Sequence, residues 1–160
     1  FRFWYRFVPE NHSIIGRGAV DLAYKSIEPH LSDYMGKVFE EICKQYLWKL
    51  LLSGKSPVEF RELGRWWGTD PVTRSQTEID IMGEQDTDTV LFGECKWTNE
   101  KVDAGILETL VKRSEMFRYR KVHLYLFAKN GFTRGCVEAA ERIGNVTLVQ
   151  YKELLEKMKE

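Results

Sequence analysis

Glu78-Ile79-Asp80-Ile81-Met82 and, after a short turn, Thr89-Val90-Leu91-Phe92-Gly93-Glu94-Cys95-Lys96-Trp97 carry the most informative pattern in this chain. Both segments are rich in β-formers, and Asp86-Thr87-Asp88 supplies the turn between them. In a strand, residues i and i+2 share a face. Val90, Phe92, Glu94 and Lys96 therefore point one way, and Cys95 points the other. That face changes from apolar to charged along a single strand. A solvated face would be polar along its whole length. This one reads as core that opens into a charged cleft.

Working outward, residues 32–52 read as a helix. Met35, Val38, Phe39, Ile42, Cys43, Tyr46, Leu47, Leu50 and Leu51 form one stripe, with Ser32 and Asp33 as N-cap candidates and Ser53-Gly54-Lys55-Ser56-Pro57 as the stop. Residues 58–67 are a strand candidate, followed by the two strands above. Next come a helix over 103–118, a strand over 121–129, a helix over 134–143, a strand over 146–150 and a helix over 151–160. The three-strand meander should be antiparallel, and the helix-linked strands should add in parallel. The expected fold is α/β, with a mixed central sheet flanked by helices. Residues 1–30 form an aromatic-rich lead-in, with a turn at Pro9-Glu10-Asn11-His12-Ser13, a loop at Gly16-Arg17-Gly18 and a short helix over 19–26. Residues 31–160 form the main domain.

Composition narrows the classes. The chain has 160 residues, enough for one domain, and 43% of them are hydrophobic, enough for a sizeable core. Lys plus Arg and Asp plus Glu both number 24, so any nucleic-acid contact must be a local patch rather than a generally basic surface. Cys43, Cys95 and Cys136 are few and widely spaced, which excludes a CxxC zinc site and a disulfide framework and suits a cytoplasmic compartment. No run is apolar enough for a membrane span, and no GxxxxGK[ST] motif is present, so no ATP site is expected in this segment. His12, His30 and His123 show no ligand spacing. The chain opens on Phe1 within what reads as a structured segment, so it is taken as a piece of a longer protein.

Glu94 follows Asp80 by 14 residues, and adjacent strands would let the two carboxylates converge. Two close carboxylates repel unless a cation lies between them. Magnesium prefers such oxygen ligands, with manganese an alternative, and commonly takes one or two carboxylates with water and substrate phosphate. A metal there lowers the pKa of water and stabilises charge on phosphate. Lys96 would stand beside that water, to orient it, to help deprotonate it or to neutralise the phosphorus centre.

The pattern Glu78-Ile79-Asp80 followed by Gly93-Glu94-Cys95-Lys96-Trp97 resembles the PD-(D/E)xK, or restriction-endonuclease-like, superfamily with its α-β-β-β-α-β core. Together with Phe1-Arg2-Phe3-Trp4-Tyr5-Arg6-Phe7-Val8 and Gly64-Arg65-Trp66-Trp67, it also resembles the C-terminal domain of unknown function of archaeal and bacterial DEXX-box AAA+ ATPases. The resemblance implies a magnesium-dependent nuclease cleaving DNA phosphodiesters, with Asp80, Glu94 and Lys96 catalytic and an ATPase domain and winged helix upstream in the same chain. Many superfamily members act as dimers, so a homodimer is one expectation. Ile79 stands where a proline would precede the acid, and no QxxxY motif follows. Many members also carry a glutamate on the first core helix. At about 100° per residue from Phe39, Glu40 lies at the edge of the apolar stripe and Glu41 about 200° away. Glu40 is therefore the third acid, a metal ligand directly or through water.

Other readings stand beside these. Glu94 and Lys96 also suit an ion pair on an exposed strand, worth about 0–1 kcal/mol. Lys112, Arg113, Arg118, Arg120 and Lys121 suit either a DNA backbone contact or a solvated face. Arg65 with Trp66 and Trp67 suits either a clamp on a nucleic-acid strand or packing. The whole domain could instead be a catalytically inactive, nuclease-like module that binds DNA or regulates its ATPase, or a scaffold for protein contact.

Overall fold

In chain order the elements are α1 (Arg2–Gly16), α2 (Val20–Leu52), β1 (Gly64–Thr69), β2 (Gln76–Glu84), β3 (Thr89–Lys96), α3 (Ala104–Ser114), β4 (Lys121–Ala128), α4 (Arg134–Ile143), β5 (Val146–Gln150) and α5 (Tyr151–Lys159). They come from a computed structural model that describes residues 2–159. Phe1 of the expected lead-in and Glu160 of the expected last helix lie outside the described residues. The chain divides into two units, one ending at Met35 and one running from Gly36.

In the first unit, the turn expected around Pro9 is helical instead, with Pro9 inside α1. Local punctuation yields to packing here. Phe3 and Phe7 lie one turn apart with ring centroids 5.0 Å apart, and both meet Tyr34 edge-on at 5.8 and 5.5 Å. The buried Asn11 side chain donates to the Phe7 carbonyl at 2.8 Å. The loop at Gly16-Arg17-Gly18 is present, with Gly18 at φ 77. The two helices expected over 19–26 and 32–52 are one helix, α2, which runs through Pro29. Ser32 and Asp33 are exposed positions within it, so they cap nothing.

In the second unit the sheet has the order β1-β2-β3-β4-β5. The pairs β1–β2 and β2–β3 are antiparallel, and β3–β4 and β4–β5 are parallel. This is the expected mixed α/β sheet. The first strand begins at Gly64 rather than at 58. Val58 and Phe60 bury their side chains, but pairing starts only where Gly64 meets Met82.

Helices cover both faces of this sheet. Phe39, Cys43, Tyr46 and Leu47 of α2 pack with Leu154 of α5 against Ile81, Leu91, Tyr125 and Phe127. On the other face, Leu107 of α3 and Cys136 and Ala139 of α4 pack with Leu126 and Ala128. Leu110 completes that face with Ile79, Val90, Phe92 and Leu124. Strand parity thus sorts Leu91 and Phe92 to opposite faces, as alternation requires. Helix α3 starts on the Asp103 carboxylate, which accepts from the Gly105 and Ile106 amides. Helix α4 starts on Thr133 and ends at Gly144, whose φ of 84 suits glycine. No helix of the described residues is long and apolar enough to cross a membrane.

Candidate functional site

The ladder between β2 and β3 runs from Glu84↔Val90 to Ile81↔Gly93 and then stops. Beyond that point β3 continues to Lys96 on its β4 side alone. The break coincides with an irregularity in β2. Gly64 pairs with Met82 and Trp66 with Ile79, so Asp80 and Ile81 together oppose Arg65. Such a bulge inserts an extra residue and re-aims the side chains on either side of it. Its effect is visible in the core: Ile79 and Ile81, two residues apart, lie in clusters on opposite faces of the sheet. Asp80 Oδ2 then takes the backbone N–H of Cys95 at 2.9 Å, where a ladder bond would otherwise form.

Two buried carboxylates, Asp80 and Glu94, lie where the strands part. Asp80 is 7% exposed and Glu94 5%, values that are rare for acids without partners. Glu94 Oε1 accepts from Lys96 Nζ at 2.6 Å, and Oε2 accepts from Arg113 Nη1 at 3.1 Å. Burial pushes the Glu94 pKa up, and the charge of Asp80 adds to the push, against the pull of Lys96 and Arg113. Asp80 and Glu94 are therefore electrostatic neighbours.

Glu40 approaches from α2. Its Oε2 accepts from Arg65 Nη2, whose Nη1 reaches Glu78 Oε2 at 3.4 Å. Glu41 turns away onto Lys44 and is the more exposed of the two glutamates. The bond to Glu40 raises the Arg65 pKa, with added contributions from Glu78 and Asp80. Two charge networks result, Arg65 with Glu40 and Glu78, and Glu94 with Lys96 and Arg113, while Asp80 is held by the Cys95 amide. Among the described residues, no group of three or more His, Cys, Asp or Glu side chains stands close enough to hold a metal ion. Asp80 and Glu94 offer a hard divalent cation its kind of oxygen donors, while the Glu40 carboxylate is held by Arg65.

The expected nucleic-acid contacts divide. Lys112 is exposed on α3, whereas Arg113, one residue on, turns inward to Glu94. Arg113 lies one turn past the buried Leu110, and that spacing is the signal that would have placed it. Arg65 is engaged with Glu40 and Glu78, and Glu78 was not anticipated as a site residue. Trp66 packs edge-on to Phe117 at 5.0 Å, and Trp67 is exposed. Cys95 lies against Cys43 in the core, and its thiol is pushed well up by burial first and by Cys43 next. Trp97 anchors the end of β3 between Phe39 and Tyr151, each at 5.2 Å.

Comparison with known proteins adds family context. The profile of DUF234, described as archaeal and bacterial proteins of unknown function, matches residues 4–107. An uncharacterized protein of Methanocaldococcus jannaschii is 34% identical over 100 residues, which cover 62% of this chain and 21% of that protein. The chain thus spans about a fifth of its relative's length. No solved structure matches the chain.

Proposed function

We propose that this chain, which belongs to the DUF234 family, is a PD-(D/E)xK-type nuclease domain that hydrolyses DNA phosphodiesters with magnesium or manganese. The observation that carries this reading is the pair of buried acids, Asp80 and Glu94, at the parting of β2 and β3, with the Lys96 ammonium 2.6 Å from Glu94. A structural ion pair on a strand surface would not bury two acids side by side. Asp80 and Glu94 would hold the cation, whereas Glu40, expected as a third ligand, is engaged by Arg65 and does not join them in one metal-sized group. When bound, the cation would polarise water and offset charge on the phosphate. The Cys95 amide orients Asp80. Arg113 fixes the second oxygen of Glu94, which leaves Lys96 as the half-exposed cation able to meet water or a phosphate oxygen. Lys112 on α3 would contact the DNA backbone.

The chain is further proposed to be the C-terminal part of an AAA+ ATPase, with the ATPase domain upstream. The support is the resemblance of its aromatic lead-in and Glu-Cys-Lys-Trp run, and a relative several times longer than the matched region.

Incubation with plasmid and branched DNA in magnesium or manganese tests the activity. Cutting that Lys96→Ala abolishes is the expected result, and no such cutting overturns it. A second reading, an inactive nuclease-like module that binds DNA or regulates its ATPase, draws on the internal neutralisation of Glu40 by Arg65 and of Glu94 by Lys96 and Arg113. Calorimetry separates the two: manganese binding that Asp80→Asn abolishes favours the nuclease.

A further inference from the structure

The loops that follow β3 and β4 are tied into one platform. Val102 and Phe132 form a parallel bridge, the Val102 N–H donates to the Gly131 carbonyl at 3.0 Å, and the Thr133 N–H donates to the Val102 carbonyl at 2.9 Å. Asn130 Nδ2 donates to the Asn99 carbonyl at 2.7 Å, and the Lys129 N–H donates to the Lys96 carbonyl at 3.0 Å. The platform stands at the carboxyl ends of parallel strands, where open α/β sheets take their ligands.

The Lys129 ammonium is pinned there from two sides. It donates to Asn99 Oδ1 at 2.6 Å and lies 4.9 Å from the centre of the Trp97 ring, which itself packs against Phe39 and Tyr151. Both partners are neutral. Among the described residues no acid pairs with Lys129, whereas Arg65, Lys96 and Arg113 are each tied to a carboxylate. Glu100, the acid next to Asn99 in the chain, is exposed and takes part in none of the ion pairs of the described residues. A lysine gives up side-chain freedom to be held this way, and its charge stays unmatched. A fixed ammonium without a counter-charge is a seat for an anion.

Strand parity decides which anion. Lys96 leaves the sheet on the face of α3, where it meets Glu94 and Glu94 meets Arg113. Trp97 packs on the face of α2, and Lys129 lies over its ring. The two lysines are joined through their backbones but stand on opposite sides of the sheet's end, so they serve different phosphates. We propose that Lys129 is a positioning residue that anchors a DNA backbone phosphate flanking the scissile one, and so lays the strand across the end of β3 with the scissile phosphate at Lys96. Lysine meets phosphate as a point charge, and Asn99 and Trp97 set where that charge stands. Such a contact carries affinity and register rather than sequence preference. This inference rests on the DNA-cleaving reading given above.

Fluorescence anisotropy of the 160-residue chain on a short labelled duplex oligodeoxynucleotide, in EDTA and again in calcium over a range of salt, tests it. Each phosphate contact steepens the fall of log affinity with log salt by about 0.9. Lys129→Gln should therefore weaken binding about eightfold in about 0.1 M salt and flatten that slope by about one contact. Lys129→Arg keeps the charge and should keep the slope. Asn99→Ala removes the pin and leaves the charge, so it should weaken binding by less, with the slope intact. Should Lys129→Gln fail to fold, Lys129→Met keeps an apolar stem on Trp97 and carries the same test. A lysine that only packs would leave the salt dependence unmoved. A wild-type slope in the charge-removing variant, whatever its affinity, overturns the role of Lys129 and leaves the DNA reading standing. Absence of DNA binding in every protein overturns both.

Discussion

The Asp80 carboxylate accepts the backbone N–H of Cys95 at 2.9 Å, with Asp80 one residue and Cys95 two residues beyond the last pair of β2 and β3, Ile81↔Gly93. A side chain thus closes the hydrogen-bond account of a strand that has lost its neighbour. Asp80 has two duties, one to the backbone and one proposed to a metal. They can be separated. Asp80→Ala leaves the Cys95 amide without its partner and should cost about 1–3 kcal/mol in urea unfolding. Asp80→Asn keeps an acceptor oxygen and should cost less, while manganese binding is lost in both. Equal destabilisation by the two substitutions would show that the amide bond contributes little.

Glu94 should behave as a group held for function at the expense of stability. Burial, and then the charge of Asp80, push its pKa up, so its ionised form is the costly one. In EDTA, Glu94→Gln should melt no lower than the wild type, although it should no longer bind manganese. A drop of about 1 kcal/mol or more would mean instead that the pairs to Lys96 and Arg113 outweigh burial.

Gly93 marks the point where β2 and β3 separate. A Cβ at this position would lie 3.1 Å from the Ile81 Cβ, a backbone-fixed atom that cannot swing aside. Gly93→Ala should push the strands apart at their last paired residues. A loss of about 1–3 kcal/mol is expected from the overpacking. Weaker manganese binding should accompany it, because Asp80 and Glu94 flank this position. Calorimetry and urea unfolding on one preparation would read both effects.

Tyr125 gives the protein a pH limit away from the site. Burial raises its pKa above the usual tyrosine range, with Tyr46 adding to the rise. The folded state thus binds this proton more tightly than the unfolded state. Its stabilising contribution is complete below the unfolded tyrosine pKa and is lost as pH rises through the higher folded value. Tyr125→Phe should leave neutral stability nearly unchanged and flatten the loss of stability above about pH 10. Thermal melts of both proteins from pH 8 to 11 would check this, and parallel curves would refute it.

Much of the fold is legible in local pattern. The helix expected over 134–143 is present with those bounds, and Thr133 and Gly144 cap it. The preference for Glu40 over Glu41 followed from helical angle, and Glu40 does face the sheet while Glu41 pairs along its own helix. The helix through Pro9 was not legible, because Phe3 and Phe7 gain their partner from Tyr34, far along the chain. The inward turn of Arg113 had only a faint signal in its spacing from Leu110.

By itself, the sequence determined the parity of β3, with Val90, Phe92, Glu94 and Lys96 on one face, because alternation is a property of the extended backbone. It also determined the mixed pairing, antiparallel within the meander and parallel for the helix-linked strands. Only the tertiary structure decided which charges meet. Arg65 and Glu40 are 25 residues apart, and Arg113 and Glu94 are 19 apart. No local rule selects such partners. The bulge at Asp80 and Ile81 belongs to the same class, because it exists only against the register of β1.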